Sequence, residues 1–388
     1  MWMAADWTNL RGEFPVLKGW TYLNTASLGP IPQCAVRAAN RHFEHRDAQA
    51  CLDFLDWFTD IDEVRAKAAT LIGASPDDIA FIPNTGNVLS WLLTGIEWKA
   101  GDHVLTLSGE FPNNLYFGGA LQRKGVSAST VPIPADRFCI EGLVERLTER
   151  TRIVLTSAVN YSTGLRPPLD EIGKELKKRN ILFYVDGTQS VGALPTDVAA
   201  SRIDVLAVHG YKWMCCPTGT GFAYVAPHVR EWLEPNLYSW RSHRDWRNVD
   251  HLHHGAPLLP ASAIKYEGGM QNFAGIYAMG AVVDLFESLG RGAIEEQVRA
   301  ISAAARDTLR AAGAELLSDS RPYYDAPIVC GRFEGVDASR LAVDLQERRI
   351  AVAARKGRLR VSPHFFNNEE DMARLADGLR EVLPGLRG

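Results

Sequence analysis

No Cys-x-x-Cys spacing occurs among the six cysteines, which stand at positions 34, 51, 139, 215, 216 and 330. That removes the usual zinc-ligand pattern and the usual redox pair. Cys215 and Cys216 are adjacent and could bridge to each other only with strain. The pattern reads as six reduced thiols in a cytoplasmic protein. No apolar run reaches the length of a membrane-spanning helix, so no membrane partner is expected. The opening MWMAADWTNLRGEF has early acidic residues and no apolar stretch, and does not read as a secretory signal. A basic excess is missing too. The 42 Lys and Arg face 46 Asp and Glu, and the net charge of −4 leaves no footprint for nucleic acid. There is no internal repeat, no low-complexity stretch, and no G-x-G-x-x-G after the first strand, as a dinucleotide-binding fold would need.

What is present is an ordinary globular composition, 46% hydrophobic and 23% charged over 388 residues, enough for two or three domains. Short apolar runs bounded by turn residues recur at 77–83, 103–108, 151–159, 181–186, 203–209 and 221–227, and read as strands. Helical periodicity lies between several of them, as in LDEIGKELKKRN (169–180), where Leu169, Ile172 and Leu176 share a face. Strands apolar on both faces, alternating with helices, predict an α/β domain with a mainly parallel sheet. Beyond about 285 the texture changes. A long helix pattern at 293–313, strands at 327–334 and 359–364 and a closing helix at 369–383 predict a smaller α+β domain. The expected division is an N-terminal segment, 1–30, packing with the small domain; a large domain, 31–285; and the small domain, 286–388. The stretch 236–258 is aperiodic and rich in Arg, His and Trp, and reads as a long functional loop.

Two residues carry the first chemical signal. The strand ILFYVD ends in Asp186, which places a carboxylate at the C-terminal edge of the sheet, where open α/β folds bind ligands. Lys212 lies just beyond the next strand end, among aromatics and glycines. There desolvation would lower its pKa and free a nucleophilic amine. An acid for a pyridinium nitrogen and a lysine for an imine are the minimum apparatus for pyridoxal 5′-phosphate.

At these residues the chain resembles the class V aminotransferase family of fold-type I pyridoxal phosphate enzymes, which includes cysteine desulfurases, isopenicillin N epimerase and kynureninase. The likeness runs through YLNTASLGP, FIPNTGN, GEFPNNLY, SAVNYSTG, VDGTQS, HGYKWMCCPTGTGF, YEGGMQNFAG and RLRVSPHFFNNEED, in family order over nearly the whole chain. It implies a large domain built on a seven-stranded-type sheet, with a smaller C-terminal domain. It implies that Lys212 is the Schiff-base lysine, that Asp186 faces the pyridine nitrogen, and that Gln189 donates to the phenolic oxygen. Phe111 would stack on the cofactor ring, where cysteine desulfurases use a histidine. Thr85, Gly86 and Asn87 would cradle the phosphate at a helix start, with His209 and Tyr211 beside it. Asn160 would lie next to substrate and cofactor, Arg360 would hold the substrate carboxylate, and Asn24 and Ser27 would line the mouth. Arg358 is the alternative to Arg360 if the register slips by two.

The resemblance also implies a homodimer, with loop 266–272 near the neighbouring active site. The family usually has a threonine there, and Met270 leaves only a backbone contact. Cysteine desulfurases carry a nucleophilic cysteine shortly before the carboxylate arginine. The interval IAVAARKGRLRVS has none, and Cys330 belongs to a predicted strand, which argues against persulfide formation. The expected activity on an α-amino acid is transamination, with C–S lyase or isopenicillin N epimerase-like chemistry as alternatives. A kynureninase-like hydrolase and a non-catalytic member stand further off. Trp240, Arg241, His243 and Arg244 are candidates for substrate selection. His251, His253 and His254 are read as surface residues, and no metal is expected.

Overall fold

The computed structural model describes residues 7–319 and 321–386. Residues 1–6, which carry part of the reading against a secretory signal, lie outside the described residues. The strands are β1 (Thr21–Tyr22), β2 (Ile79–Ile82), β3 (His103–Leu107), β4 (Ser127–Val131), β5 (Thr151–Ser157), β6 (Leu182–Asp186), β7 (Val205–His209) and β8 (Gly221–Val225), followed by β9 (Glu315–Leu316), β10 (Val329–Arg332), β11 (Ile350–Ala351), β12 (Ala353–Arg355) and β13 (Arg358–Val361). Seven of them form the central sheet in the order β2-β8-β7-β6-β5-β3-β4, parallel except for β8, which runs antiparallel to both neighbours. The chain is therefore an α/β protein of the fold expected.

Each of the six apolar runs became a strand of this sheet. β2, β3 and β8 are buried along their whole length, because helices cover both faces. The strand not foreseen is β4, SASTV, whose side chains are mostly exposed or half-buried. It is an edge strand with β3 as its one neighbour, so it needs no apolar pattern on either face. Helices Gln33–Gln49, Phe54–Ile72 and Phe273–Leu289 pack together on the large sheet.

The sheet β12-β13-β10-β9 forms a second core with the helices Arg291–Ala311, Ala338–Glu347 and Glu369–Leu386. The helix Phe273–Leu289 runs past residue 285, and the chain turns by 84° at Gly290, whose φ of 82° suits glycine. The N-terminal segment joins this second unit through backbone: β1 pairs in parallel with β11, and Asn24 bridges to Ser362. Arg11 pairs with Asp371 at 2.8 Å, and Phe14 packs on Phe365 and Phe366. Among the described residues no single helix is long and apolar enough to cross a membrane.

The loop 236–258 differs from expectation. Arg241 is buried, with Nη2 3.1 Å from Glu267 and its guanidinium between Phe58 (4.4 Å) and Trp246 (4.6 Å). Trp240 packs against the same two rings. These residues anchor the loop instead of reading a substrate. His243 stacks on His253 at 4.3 Å, and Arg244 is exposed beside Asp245. Glu267 is the hub: it binds Arg65 and Arg241 and accepts the backbone N–H of Phe81 at 2.8 Å. The two guanidiniums and the carboxylate are nearly solvent-free, so removing the carboxylate leaves Arg241 without an ion-pair partner and Arg65 with only the half-buried Asp62, 3.2 Å from its Nε. Glu267→Ala is expected to lower unfolding free energy by about 3–5 kcal/mol, read as a fall in the urea midpoint. A shift below about 1 kcal/mol would mean that the arginines find other partners.

Candidate active site

The parallel strands β5, β6 and β7 end together at one edge of the sheet, and the predicted pair lies there. Asp186 closes β6, and its Oδ1 accepts the backbone N–H of Thr188 at 2.9 Å. Burial raises its pKa above the ordinary aspartate value, against the hydrogen bonds from Thr188 and the charge of Lys212. Lys212 is also buried. Burial lowers its pKa to about 8; Asp186 opposes the shift, while Arg360 and Arg355 reinforce it. Its Nζ stands 5.7 Å from the ring centre of Phe111 and 5.3 Å from that of Tyr211. An amine so placed is available in its neutral, nucleophilic form near neutral pH.

The backbone around Lys212 is locked from several sides. A Cβ on Gly29 would stand 1.9 Å from the Lys212 carbonyl oxygen, so only glycine allows this approach. The Gly29 N–H donates to the Tyr211 carbonyl at 2.8 Å. Trp213 is fully buried and donates its indole N–H to Gln189 Oε1 at 2.7 Å, and Gln189 Nε2 donates one hydrogen to the Ala26 carbonyl at 3.0 Å. His364 Nε2 donates to the Trp213 carbonyl at 2.7 Å, while its Nδ1 accepts from Phe365. Burial lowers the His364 pKa to about 3, so it is a neutral, single-tautomer clamp.

The expected phosphate end is assembled around the helix Thr85–Gly95, which packs against β7. Asn84 makes no side-chain cap there, so no side chain closes the first turn, Thr85–Gly86–Asn87, to an anion. The Thr85 hydroxyl accepts from Asn113 Nδ2 at 3.2 Å, which ties this helix to the Phe111 segment. His209 and Tyr211 meet ring to ring at 4.3 Å. Burial, with the charge of Lys212, lowers the His209 pKa to about 4, and its Nε2 accepts the Gly219 N–H at 3.3 Å. Met270 is 57% exposed and, with Asn87, Gly219, Leu237 and Gln271, lines a cavity of about 530 Å³ beside this end.

Arg360 closes the other side. It is 1% exposed; Nη1 donates to the Tyr161 carbonyl at 2.6 Å, and Nη2 donates to Ser27 Oγ and, at 3.4 Å, to Asn24 Oδ1. Its Nε is buried with no partner, and among the described residues no carboxylate pairs with it. Burial, then the charge of Arg355, lowers its pKa to about 10. Arg358, the alternative, already has an anion, Asp136 at 2.9 Å. Asn160 Oδ1 accepts three bonds from Ser162 and Thr163, and Nδ2 donates to the Gly109 carbonyl at 2.9 Å, so one amide hydrogen is left for a ligand. Cys330 faces Arg360 across the β10–β13 pair. It is fully buried, its thiol pushed up to about 12, and it donates to the Ser162 carbonyl.

The structure thus gathers the residues expected to meet the cofactor and the substrate carboxylate at one sheet edge, with Gly86 and Asn87 on the first turn of the helix expected to hold the phosphate, while the loop candidates Trp240 and Arg241 pack around Glu267 instead. Three others were not foreseen. Glu110 is buried behind Asp186 and accepts from Ser157 N (2.8 Å), Ser157 Oγ, Thr156 Oγ1 and Asn114 Nδ2. His364 and Arg355 are the others. A carboxylate beside the stacking aromatic and an RKGR run were the signals available in the sequence.

The Aminotransferase class-V family profile matches residues 21–375. The isopenicillin N epimerase of Amycolatopsis lactamdurans is 28% identical over 98% of this chain and 99% of its own. A probable cysteine desulfurase of Methanothermobacter thermautotrophicus is 26% identical over 96% and 97%. Among solved structures, a mutant of the C–S lyase C-DES with glycine covalently linked to its pyridoxal phosphate cofactor superposes with a TM-score of 0.87, at 22% identity, over 95% of this chain and 98% of that one. An apo cysteine desulfurase from Thermococcus onnurineus superposes at 0.88, at 21% identity, over 99% and 100%.

The buried Lys212 amine fits the cofactor's aldehyde, Asp186 its ring nitrogen, and the open helix start with His209 its phosphate. The rate at which the apoprotein captures pyridoxal phosphate should rise with pH about a midpoint near 8, because only the neutral Lys212 amine attacks. Visible absorbance follows this directly. A midpoint near the ordinary lysine value of about 10.4 would mean that the amine is not desolvated.

Proposed function

The chain belongs to the class V aminotransferase family of pyridoxal phosphate enzymes, and from that premise we propose that it transaminates an α-amino acid. The observation that carries the reading is Arg360, a buried guanidinium with no carboxylate of its own. A buried cation is costly unless an anion meets it, and an α-carboxylate offers a planar bidentate match. The arginine fixes the amino acid by that group, and Asn160 donates its remaining amide hydrogen to the same end. Pyridoxal phosphate supplies the electron sink that weakens the bonds at the substrate's Cα. Lys212 then takes the Cα proton on its neutral amine and returns it elsewhere, which a pKa of about 8 suits in both directions. With the cofactor bound, Asp186 would meet the ring nitrogen, Phe111 would cover one ring face, and Tyr211 and His209 would border the phosphate end.

Transamination needs no protein thiol, and none is poised here. Cys330 is buried and protonated, and Cys215 and Cys216 are buried with thiol pKa values raised. Elimination is the second reading. It uses the same Lys212 proton transfer and needs only a leaving group on the substrate. One superposing structure is a cystine C–S lyase in complex with its reaction product, cysteine persulfide, which supports this alternative. We also read the active unit as a homodimer, supported by exposed Met270 and Leu237 around the cavity that reaches Asn87; a sedimentation mass checks this.

One experiment separates the reactions. Holoenzyme is mixed with amino acids and no acceptor, and keto acid is counted per site. Transamination should stop at about one equivalent, whereas elimination would continue over many turnovers and release ammonia. No keto acid from any amino acid would contradict both.

A further inference from the structure

The hairpin joining β12 to β13 turns on Lys356 and Gly357, both with positive φ (48° and 70°), between the paired residues Arg355 and Arg358. This is the two-residue turn that suits a right-handed ribbon, and it favours Asn-Gly or Asp-Gly; lysine at its first central position is unusual. Four cations stand within six residues here: Arg355, Lys356, Arg358 and Arg360. Two are accounted for. Arg358 pairs with Asp136, and Arg360 awaits the α-carboxylate. Arg355 is half-buried and makes one bond, from Nη1 to its neighbour's carbonyl at Ala354, 2.7 Å away. Lys356 makes none, and among the described residues neither has a carboxylate at ion-pair distance.

Their position places them at the site. Lys356 Nζ lies over Gly109, where an added Cβ would stand 2.9 Å from it. The Gly109 carbonyl holds the Asn160 amide, and Phe111 follows two residues on. Arg355 is close enough for its charge to disfavour the protonated forms of both Lys212 and Arg360. Like charges gathered round a mouth, with no acid to balance them, raise the local concentration of anions.

We infer that Arg355 and Lys356 form a second anion subsite at the mouth, and that the amino-acid substrate carries a further negative group on its side chain. This rests on the reading of Arg360 as the holder of the α-carboxylate. A guanidinium fork next to a mobile ammonium recognises a carboxylate or a phosphate ester alike.

The test uses pairs of ligands that differ only in that charge: L-glutamate against L-glutamine, L-aspartate against L-asparagine, and O-phospho-L-serine against L-serine. Dissociation constants are read from the visible absorbance change of the holoprotein, apart from turnover. In the wild type the charged member of at least one pair should bind about tenfold or more tightly than its neutral partner, one charge-assisted contact being of that size. The first two pairs succeeding alone identify a carboxylate, and the third alone a phosphate. In the double variant Arg355→Gln/Lys356→Gln the ratio should fall to about one. Lys356→Gln alone, at an exposed position, should lower it partway and covers the case in which the double variant misfolds. Equal affinity in all three pairs, or a ratio unchanged in the variants, would overturn this inference alone. No response to any amino acid would overturn the reading of Arg360, and this inference with it.

Discussion

Two cations, Lys212 and Arg360, are buried at one sheet edge, and Asp186 is the acid acting on Lys212. Desolvation of both is the constraint on which the rest of the site depends. It lowers the Lys212 pKa into the range where proton transfer is useful, and it leaves Arg360 with an unfilled requirement for an anion. Neither state would survive if water entered or if the backbone could relax. The surrounding contacts prevent both. Gly29 allows the N-terminal segment to lie directly on the Lys212 carbonyl, Trp213 and Gln189 brace the next turn, and neutral His364 clamps that turn from the second unit.

The site is accordingly made by three stretches that are distant in the chain. The central sheet supplies Asp186, His209 and Lys212. The segment before residue 30 supplies Asn24 and Ser27, and strand β13 supplies Arg360. The backbone pairing of β1 with β11 and of Asn24 with Ser362 holds the last two together. This explains why a small N-terminal segment carries part of the family likeness: without it the Arg360 guanidinium loses two of its three acceptors.

Much of this was legible in the residues themselves. Strands covered on both faces must be apolar throughout, so six of the seven central strands stood out, and a strand ending in Asp186 marked the ligand edge. β4 escaped because an edge strand carries no such requirement. The role of Arg241 was misread because a dense run of Arg, His and Trp looks the same whether it faces a substrate or a buried glutamate. Glu267 and Arg65, which decide the matter, lie far away in sequence. Arg355 and Lys356 were hidden for a related reason. Unpaired charge is a property of the folded surroundings, and only the positions of Asp136, Gly109 and Arg360 show which cations of the RKGR run have partners. The family likeness pointed to candidate cofactor residues but was silent on the side-chain end of the substrate.

The most direct test of the account is the thermal stability of the apoprotein with Arg360→Met, measured beside amino-acid binding by the holoprotein. If Arg360 is a buried cation held without an anion, the apolar replacement should raise the apoprotein Tm, or leave it unchanged, while amino-acid binding is lost. A fall of several degrees with binding intact would contradict it, and would make Arg360 a structural cross-link.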